Sequence, residues 1–505
     1  MSPRVRRSVL LASVFVVAAC GLAYELLAAS ISSYLLGDTI TRFSLVIGTF
    51  LCAMGIGAWC SRWVKTRLIE TFVATEVAVG LVGGLSGIVL FIASAFLGES
   101  FEAVFYPLIL VIGAAVGIEI PLLVRILQED TDVSTAVANT LSLDYVGALA
   151  GSVAVPLIAL PYLGMSRSTL VFGMLNLAVA ALGLRLIPTP RRLRRAVQGS
   201  ALVLVLGLFG AEELVSYLED LHYQDNIVFA KSTPYQRIVL TRWRGDVRLY
   251  LDGHLQLASP DEARYHEALV IPAMEATLAA DVLVLGGGDG MAVREVLKYP
   301  SVKTVTLVDL DPEMTRLGRE RAELVALNDG ALSDPKVTIH NEDAMNFAAA
   351  QPASYDVILV DLPDPHSPIL ARLYSTAFYR LVFRRLRPHG VLVTQATSPF
   401  YAREAFWSIE ATIRAALTPG VRTFPYHLNV PSFGEWGFIL ATRVDLDPAA
   451  GQPTVPLRFL NPGSLAAMFV FPLDMARPEE PAINEGDRPV LAQLYRRGWA
   501  QFNNR

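Results

Sequence analysis

The chain is poor in cysteine, in histidine and, over its first two hundred residues, in charge. Only Cys20, Cys52 and Cys60 occur among 505 residues, all in the apolar N-terminal part. There is no CxxC pair and no Cys/His cluster. That excludes a disulfide framework and a zinc site of the usual spacing. Positive charge is not in excess: 42 Lys and Arg stand against 47 Asp and Glu, a formal net charge of −5. A broad nucleic-acid-binding surface is excluded on that ground, and nucleic acid is not an expected partner. Long apolar runs are missing after about residue 218. With 53% hydrophobic and 18% charged residues, the whole is too apolar for one soluble enzyme and too charged for a membrane bundle. A chain of two parts, in two or three domains, fits both figures.

The first part is a series of apolar runs at about 8–35, 42–61, 72–97, 103–124, 135–163 and 169–187. Each is near or above the roughly 20 residues that cross a bilayer's hydrocarbon core. Pro156 and Pro161 fall inside them and are tolerable within a bundle. A seventh run, 197–212, is shorter and ends at Glu212 and Glu213; it spans if extended to Tyr217, or lies at the interface. Arg4, Arg6 and Arg7 precede the first run; Arg62, Lys65 and Arg67 follow the second; Arg125 follows the fourth; Arg185, Arg191, Arg192, Arg194 and Arg195 follow the sixth. The intervening loops are poorer in Lys and Arg, so the positive-inside rule puts the N-terminus in the cytoplasm. Six spans leave the C-terminal half inside; seven put it outside. The "VAAC" at 17–20 has the look of a lipoprotein processing site, but the apolar run continues past Cys20, so the segment reads as a helix. Glu25, Glu76, Glu119 and Asp144 lie within or beside the spans. Carboxylates there are costly and often functional; the alternative for each is protonation, pairing or an interfacial place.

The second part has a different pattern. "QRIVLTRWRGDVRLYLDGHLQLAS", 236–259, alternates apolar and polar, with turns at Arg244-Gly245-Asp246 and Asp252-Gly253. It predicts a small antiparallel β unit. A helix is expected over 261–276. Strands are then expected at 281–285, 303–309, 336–340, 355–361, 390–396, 421–427 and 435–442, with helices between most of them, such as 290–298, 311–326 and 374–387. That alternation predicts a parallel sheet covered on both faces, with ligand at the carboxyl ends of its strands. The tail from about 443 is Pro-rich, with one helix expected near 488–499.

"VLVLGGGDGMAVREVLKYP", 282–300, follows an expected strand and opens an expected helix, the context of a nucleotide site. Gly286 and Gly288 match the dinucleotide fingerprint, but its third glycine is lacking: Met291 stands there. A turn of this kind also serves adenosyl sulfonium cofactors, which have no pyrophosphate to hold. Asp309 ends the next strand, about 20 residues on, where an acid accepts hydrogen bonds from ribose hydroxyls. Its alternative is a turn or cap residue. Asp343 ends the third strand, suited to an adenine amino group or to capping the next helix. Asp289 is the odd residue, because a carboxylate inside a phosphate loop would repel its ligand. Together with Asp361 and Asp364 of "VDLPDPHSP" it predicts three acids in one cleft. Either arginines neutralise them or the substrate is a polycation.

The stretches "YQRIVLTR", "LYLDGHLQLASPDEARYHEAL", "VLVLGGGDGMAVREVLKYPSV", "VTLVDLDPEM", "NEDAMNF" and "DVILVDLPDPHSP…LYSTAFYRL" run in order from about 235 to 381. They resemble the polyamine aminopropyltransferases, or spermidine synthases, and the apolar N-terminal part resembles that family's membrane-bound branch. The resemblance implies a multi-pass α-helical membrane domain followed by an α/β Rossmann-like catalytic domain of the S-adenosylmethionine-methyltransferase type, preceded by a small antiparallel β unit. The expected boundaries are 1–217 for the helical bundle, 218–280 for the β unit and connecting helix, 281–445 for the Rossmann-like domain and 446–505 for the tail. It also implies aminopropyl transfer from decarboxylated S-adenosylmethionine to putrescine, giving spermidine and methylthioadenosine. Gln236, Gly286, Gly288, Asp309, Asp343 with Ala344, and Pro368 would hold the adenosyl part. His266, Asp289, Asp361 and Asp364 would hold the polyamine, Asp361 as proton acceptor and Tyr265 beside the reacting amine. Asp309 replaces the family's usual Glu, Ala344 a common Gly, and "DLPDPHSP" lacks the Ser or Thr and the Gly of soluble members, which leaves amine length open.

No metal or resident cofactor is expected, since a sulfonium is already an activated leaving group and the nucleoside is a co-substrate. Partners are the amines, the donor and the lipid bilayer, with a homo-oligomer left open. Location is a cell membrane, with the catalytic domain on the cytoplasmic side. Two alternatives share part of this evidence. A methyltransferase using S-adenosylmethionine needs the glycine turn and Asp309 but not the three acids together. A membrane polyamine transporter or sensor would bind amine without turnover.

Overall fold

The computed structural model describes residues 3–36, 39–187, 190–223, 225–350, 355–416 and 420–503. The chain forms two compact units, Met1–Asn226 and Ile227–Arg505.

The first unit is helical: α1 (Pro3–Leu36), α2 (Thr39–Cys60), α3 (Leu68–Leu97), α4 (Glu102–Leu127), α5 (Val133–Ala154), α6 (Leu160–Gly183) and α7 (Arg191–Tyr223). Cys20 lies inside α1 and is wholly buried. The runs expected at 135–163 and 169–187 join into one stretch, Val133–Leu186. It passes through a π turn at Val155–Ala159, where Pro156 removes a backbone donor, and kinks at Gly164, whose φ of 71° favours glycine. Among the described residues six helical stretches are long and apolar enough to cross a membrane by length and composition, the last being Arg191–Ala211. The change of composition at about 218 falls within the last turns of α7. Ends are closed by polar groups. Asp132 accepts the Thr135 N–H at 2.9 Å at the start of α5, and Arg125 donates to the carbonyls of Ser61 and Val64 beyond α2.

The second unit opens with a four-stranded sheet, β1 (Asn226–Ser232), β2 (Arg237–Trp243), β3 (Asp246–Leu251) and β4 (His254–Ala258), in that order. Its β1 precedes the stretch whose alternation signalled strands. The two expected turns carry positive φ at Arg244 and Gly245 and at Asp252 and Gly253, the hairpin geometry that matches strand twist. Then come α8 (Glu262–Ala276), β5 (Asp281–Gly286), α9 (Met291–Leu297), β6 (Thr304–Val308), α10 (Pro312–Glu320), α11 (Ala322–Asn328), β7 (Val337–His340), α12 (Ala344–Ala350) and β8 (Tyr355–Asp361). After them lie α13 (Pro368–Ala371), α14 (Thr376–Arg384), β9 (Leu386–Gln395), α15 (Arg403–Ala416), β10 (Arg422–Val430), β11 (Gly434–Thr442), α16 (Pro462–Ala467) and α17 (Leu491–Asn503).

Every expected strand from 281 on is present. The helix expected over 311–326 is two, because Arg321 is extended (φ −78°, ψ 119°) and its guanidinium reaches the Val228 carbonyl. The strand order is β10-β11-β9-β8-β5-β6-β7. Strands β5 to β9 pair in parallel, and β11 pairs antiparallel with both β9 and β10. Apolar layers cover both faces, α8 and α9 on one, α14 and α15 on the other. The chain runs outward from β5 through β6 and β7, then returns to lay β8 against the other side of β5. This reversal of strand order opens a crevice at the carboxyl ends of β5 and β8.

Candidate active site

Strand register brings the first two site groups together. Gly286 at the end of β5 pairs with Asp361 at the end of β8. A Cβ on Gly286, whose φ is +83°, would stand 2.0 Å from the Asp361 carbonyl oxygen. Only glycine permits this closeness. Gly287 and Gly290 also have positive φ, and the turn delivers the chain into α9. At Gly288 the backbone N–H donates to Asp309 Oδ2 at 3.0 Å, and a Cβ there would be 2.6 Å from the same oxygen.

Asp309 follows β6. Its other oxygen accepts the Asp311 N–H at 2.9 Å, and burial pushes its carboxyl up to about 6 against these donors. Asp311 accepts from Thr233 and from Gln236 Nε2, at 3.1 Å for the latter, which draws the edge of the small sheet to this side of the crevice. Asp343 follows β7. One of its oxygens accepts the N–H groups of Met345 and Asn346, capping α12, whose first residue is the buried Ala344. The other is ion-paired with Arg372. The capping alternative for Asp343 is thus present. Pro368 opens α13, with Ser367 as its cap.

The N-terminal turns of α8 face β8. The Tyr265 hydroxyl donates to Asp361 Oδ1 at 2.8 Å. His266 Nδ1 meets the Glu262 carbonyl at 2.8 Å and the Glu262 carboxylate at 3.1 Å. Burial alone would lower the His266 pKa. The Glu262 hydrogen bond and the charges of Asp289 and Asp361 outweigh burial and raise it to about 9, so the ring is an imidazolium at neutral pH. Asp289 accepts the Met291 N–H at 2.8 Å and is nearly buried, at 9% exposure. Asp361 is half-buried, open to the crevice. Burial drives its carboxyl up to about 6; Asp289 adds to that, while His266 and the Tyr265 hydroxyl oppose it. Asp364 is pushed by burial to about 7, against donors from Tyr495, Gln395 and Thr397. Among the described residues no Lys or Arg ion-pairs with Asp361 or Asp364. The acids converge, and the cation among them is His266.

Sequence reasoning missed several residues here. Glu262 is wholly buried and binds Arg294 in a bidentate pair at 3.0 and 2.8 Å, and Arg294 also meets Glu295 at 2.9 Å. The Glu262–His266 spacing of four on one helix face was a readable signal; Arg294 gave none. Thr397 beside Asp364 is a β-branched residue at φ 58°, a strained geometry held by Gln395 Oε1 on its N–H. His366 of the 361–368 loop stacks on His254 of β4, centroids 4.5 Å apart. Burial lowers both, His366 to about 4, so neither is charged at neutral pH.

The family model of the spermine/spermidine synthase domain matches residues 262–446. A polyamine aminopropyltransferase of Ralstonia nicotianae is 46% identical, over 97% of this chain and 98% of its own length. The chain belongs to the polyamine aminopropyltransferase family. A polyamine aminopropyltransferase of Leptospira interrogans is 44% identical over 96% of this chain and 98% of its own, and one of Mycobacterium tuberculosis is 41% identical over 98% and 97%. A solved spermidine synthase in complex with the transition-state analogue AdoDATO is 26% identical with a TM-score of 0.45, covering 49% of this chain and 86% of that one. The aminopropyltransferase relatives align along the helical unit as well as the catalytic one. In this aminopropyltransferase Asp361 stands at the crevice where β5 and β8 end, hydrogen-bonded to Tyr265.

Proposed function

We propose that the C-terminal unit transfers the aminopropyl group of decarboxylated S-adenosylmethionine to putrescine, giving spermidine and 5′-methylthioadenosine. The Tyr265–Asp361 hydrogen bond, beside Asp289 and Asp364 and with no Lys or Arg on either Asp361 or Asp364, carries this reading. Gln236, Gly286, Gly288, Asp309, Asp343, Ala344 and Pro368 hold the donor's adenosyl thioether. For adenine to reach Asp343, Arg372 must release it. Asp289 and Asp364 bind the acceptor's ammonium end by charge. His266, as an imidazolium, repels an ammonium; its task on the polyamine side is to hold Asp289 and Asp361 together until substrate charge arrives.

An alkyl ammonium titrates near 10.4 and must lose a proton before it attacks. Asp361 at about 6 is a stronger base than an ordinary carboxylate, and desolvation on binding narrows the gap further. Asp361 takes one proton from the ammonium, the neutral nitrogen then attacks the propyl carbon beside sulfur, the C–S bond breaks with its electron pair going to sulfur, and the product keeps its remaining protons as a secondary ammonium. In-line positioning supplies much of the rate, up to roughly 7–11 kcal/mol in favourable cases. The test is purified full chain with putrescine and either S-adenosylmethionine or its decarboxylated form, products read by mass spectrometry. Spermidine from the decarboxylated donor alone is expected; a methylated amine from the other donor, or binding without turnover, overturns the reading.

We further propose that the helical unit is embedded in a cell membrane, N-terminus and catalytic unit both cytoplasmic, with α7 lying along the interface. Five long apolar stretches ahead of α7, one of them the 54-residue Val133–Leu186, and large exposed apolar side chains such as Trp59, Phe96, Leu149 and Leu157 support this. Four arginines open α7, which suits a headgroup position. An alkaline phosphatase fusion at the C-terminus should be inactive; an active fusion would put the catalytic unit outside.

A further inference from the structure

The Pro-rich tail of the second unit returns to the crevice. The match to the family domain ends at residue 446, and α17 lies beyond it. Asn484, at 1% exposure, anchors the tail: its N–H donates to Thr412 Oγ1 at 2.8 Å, and its Nδ2 to the carbonyls of Ala371 at 2.7 Å and Tyr374 at 3.2 Å. Leu491, Tyr495 and Trp499 follow at intervals of four and so share one face of α17. All three pack on the apolar layer that α14 and α15 cover. The Trp499 ring stacks on Tyr401, centroids 4.7 Å apart. A Cβ on Gly498 would stand 2.6 Å from Ala402 Cα, so glycine lets α17 lie directly on the segment joining β9 to α15. That segment also carries Thr397.

Docked there, α17 brings the Tyr495 hydroxyl into a hydrogen bond with Asp364. Burial, with the charge of Asp364 beside it, raises the pKa of this phenol, so it stays protonated and donates. The other two donors stand at the long end of the range: Gln395 Nε2 is 3.4 Å from Asp364 Oδ1, and Thr397 Oγ1 is 3.5 Å from Oδ2. Gln395 makes a shorter bond to the Leu362 carbonyl, at 2.7 Å. A phenol is a partner that an ammonium-binding carboxylate can keep. It occupies one lone pair and leaves the negative charge in place, whereas a guanidinium would take both oxygens and cancel the charge that draws the substrate. We infer that Tyr495 is a positioning residue for the acceptor amine: its hydroxyl holds Asp364 in place, and α17 is thereby part of the amine site.

This rests on the amine-binding role proposed above for Asp364, and one set of measurements separates the two. The purified full chain, Tyr495→Phe, Asp364→Asn and the double variant are assayed with decarboxylated S-adenosylmethionine and varied putrescine. No spermidine from the unaltered chain, or an unaltered putrescine KM in Asp364→Asn, defeats the reading of Asp364 and this inference with it. Otherwise Tyr495→Phe, which keeps the ring and its packing, should raise the putrescine KM about threefold to tenfold. Its kcat should stay within about twofold, and methylthioadenosine affinity by calorimetry should not move, since acceptor binding alone is touched. In the Asp364→Asn background Tyr495→Phe should add nothing to KM, the sign that the hydroxyl acts through that carboxylate. An unchanged KM in Tyr495→Phe, or the same rise with and without the Asp364 carboxylate, overturns the inference. A Tyr495→Phe chain whose kcat and thermal transition fall together makes Tyr495 a packing residue and overturns it as well.

Discussion

The Tyr265 hydroxyl and Asp361 Oδ1 are 2.8 Å apart, joining α8 to the end of β8 across 96 residues of chain. A hydroxyl donating to a carboxylate favours the charged form, so this bond holds the Asp361 pKa below what burial alone would impose. Removing it in Tyr265→Phe should raise that pKa. The acidic limb of kcat/KM against pH should then move to higher pH, with a loss of about threefold to tenfold at neutral pH. A limb that stays in place would detach Tyr265 from the base.

Asp361→Asn keeps the size of the side chain and removes the carboxylate proposed as proton acceptor. Turnover should fall about 10²- to 10⁴-fold, the range of general-base contributions. Methylthioadenosine affinity, measured by calorimetry, should change little, because Asp309 and the glycine turn are untouched. Turnover within a few-fold of the unmodified enzyme would remove Asp361 from the mechanism.

Asp361 near 6 and Asp364 near 7 must both be ionised to receive an ammonium, so turnover should rise with pH through that window. Stability runs the other way. A carboxyl whose folded pKa lies above its ordinary 3.8 favours the native state fully below 3.8 and loses that contribution as pH rises through about 7. Asp364→Asn should therefore raise the unfolding temperature of the catalytic unit at about pH 8, and the gain should shrink toward about pH 5. A gain that is the same at both would contradict the assigned burial.

Much of this site could be read from sequence because its signals are local. Strand patterns alternating with helix patterns marked the sheet, and the glycine turn with Asp309 marked the switch point. Asp289, Asp361 and Asp364 were legible as an excess of negative charge. What stayed hidden depends on tertiary approach. Arg294 is 32 residues from Glu262, and nothing local to either announces the pair. Glu76 and Glu119 were visible as carboxylates in apolar runs, but the bond from Asn176 to Glu76 is a matter of α3 packing on α6 around Gly80 and Gly173. The left-handed Thr397 runs against local preference and was not foreseeable, whereas β1 was passed over although its Ile227, Val228 and Phe229 favour a strand.

Gly288 has no positive φ, so alanine is tolerated there by the backbone, yet its Cβ would stand 2.6 Å from Asp309 Oδ2. The clash displaces the Asp309 side chain and lengthens its bond to the turn. Gly288→Ala should weaken methylthioadenosine binding at least about tenfold while the thermal transition stays close to that of the parent. Gly286→Ala is different in kind. Its Cβ meets the Asp361 carbonyl at 2.0 Å from a φ of +83°, so it should destabilise the fold as well as the site.

Arg294 links the site's helix to the glycine turn's helix. Its guanidinium lies between Glu262 of α8 and Glu295 of α9, at 5% exposure. Burial tends to raise the Glu262 pKa, but hydrogen bonds from His266 and Arg294 outweigh it and hold the carboxyl well below its usual range. Arg294→Met would leave a buried carboxylate with Arg458 and His266 as its remaining cations. The loss should be about 3–5 kcal/mol in the catalytic unit's unfolding transition, as for other broken buried pairs. His266, then with less competition for Glu262, should hold its proton to a still higher pH than about 9, visible as a shift in its imidazole NMR titration. Arg294→Lys should recover only part of the stability, since an ammonium cannot bind both Glu262 oxygens with a planar fork. A Met variant as stable as the parent, with the His266 titration unmoved, would mean that the glutamates around Arg294 do not hold the acid cluster in place.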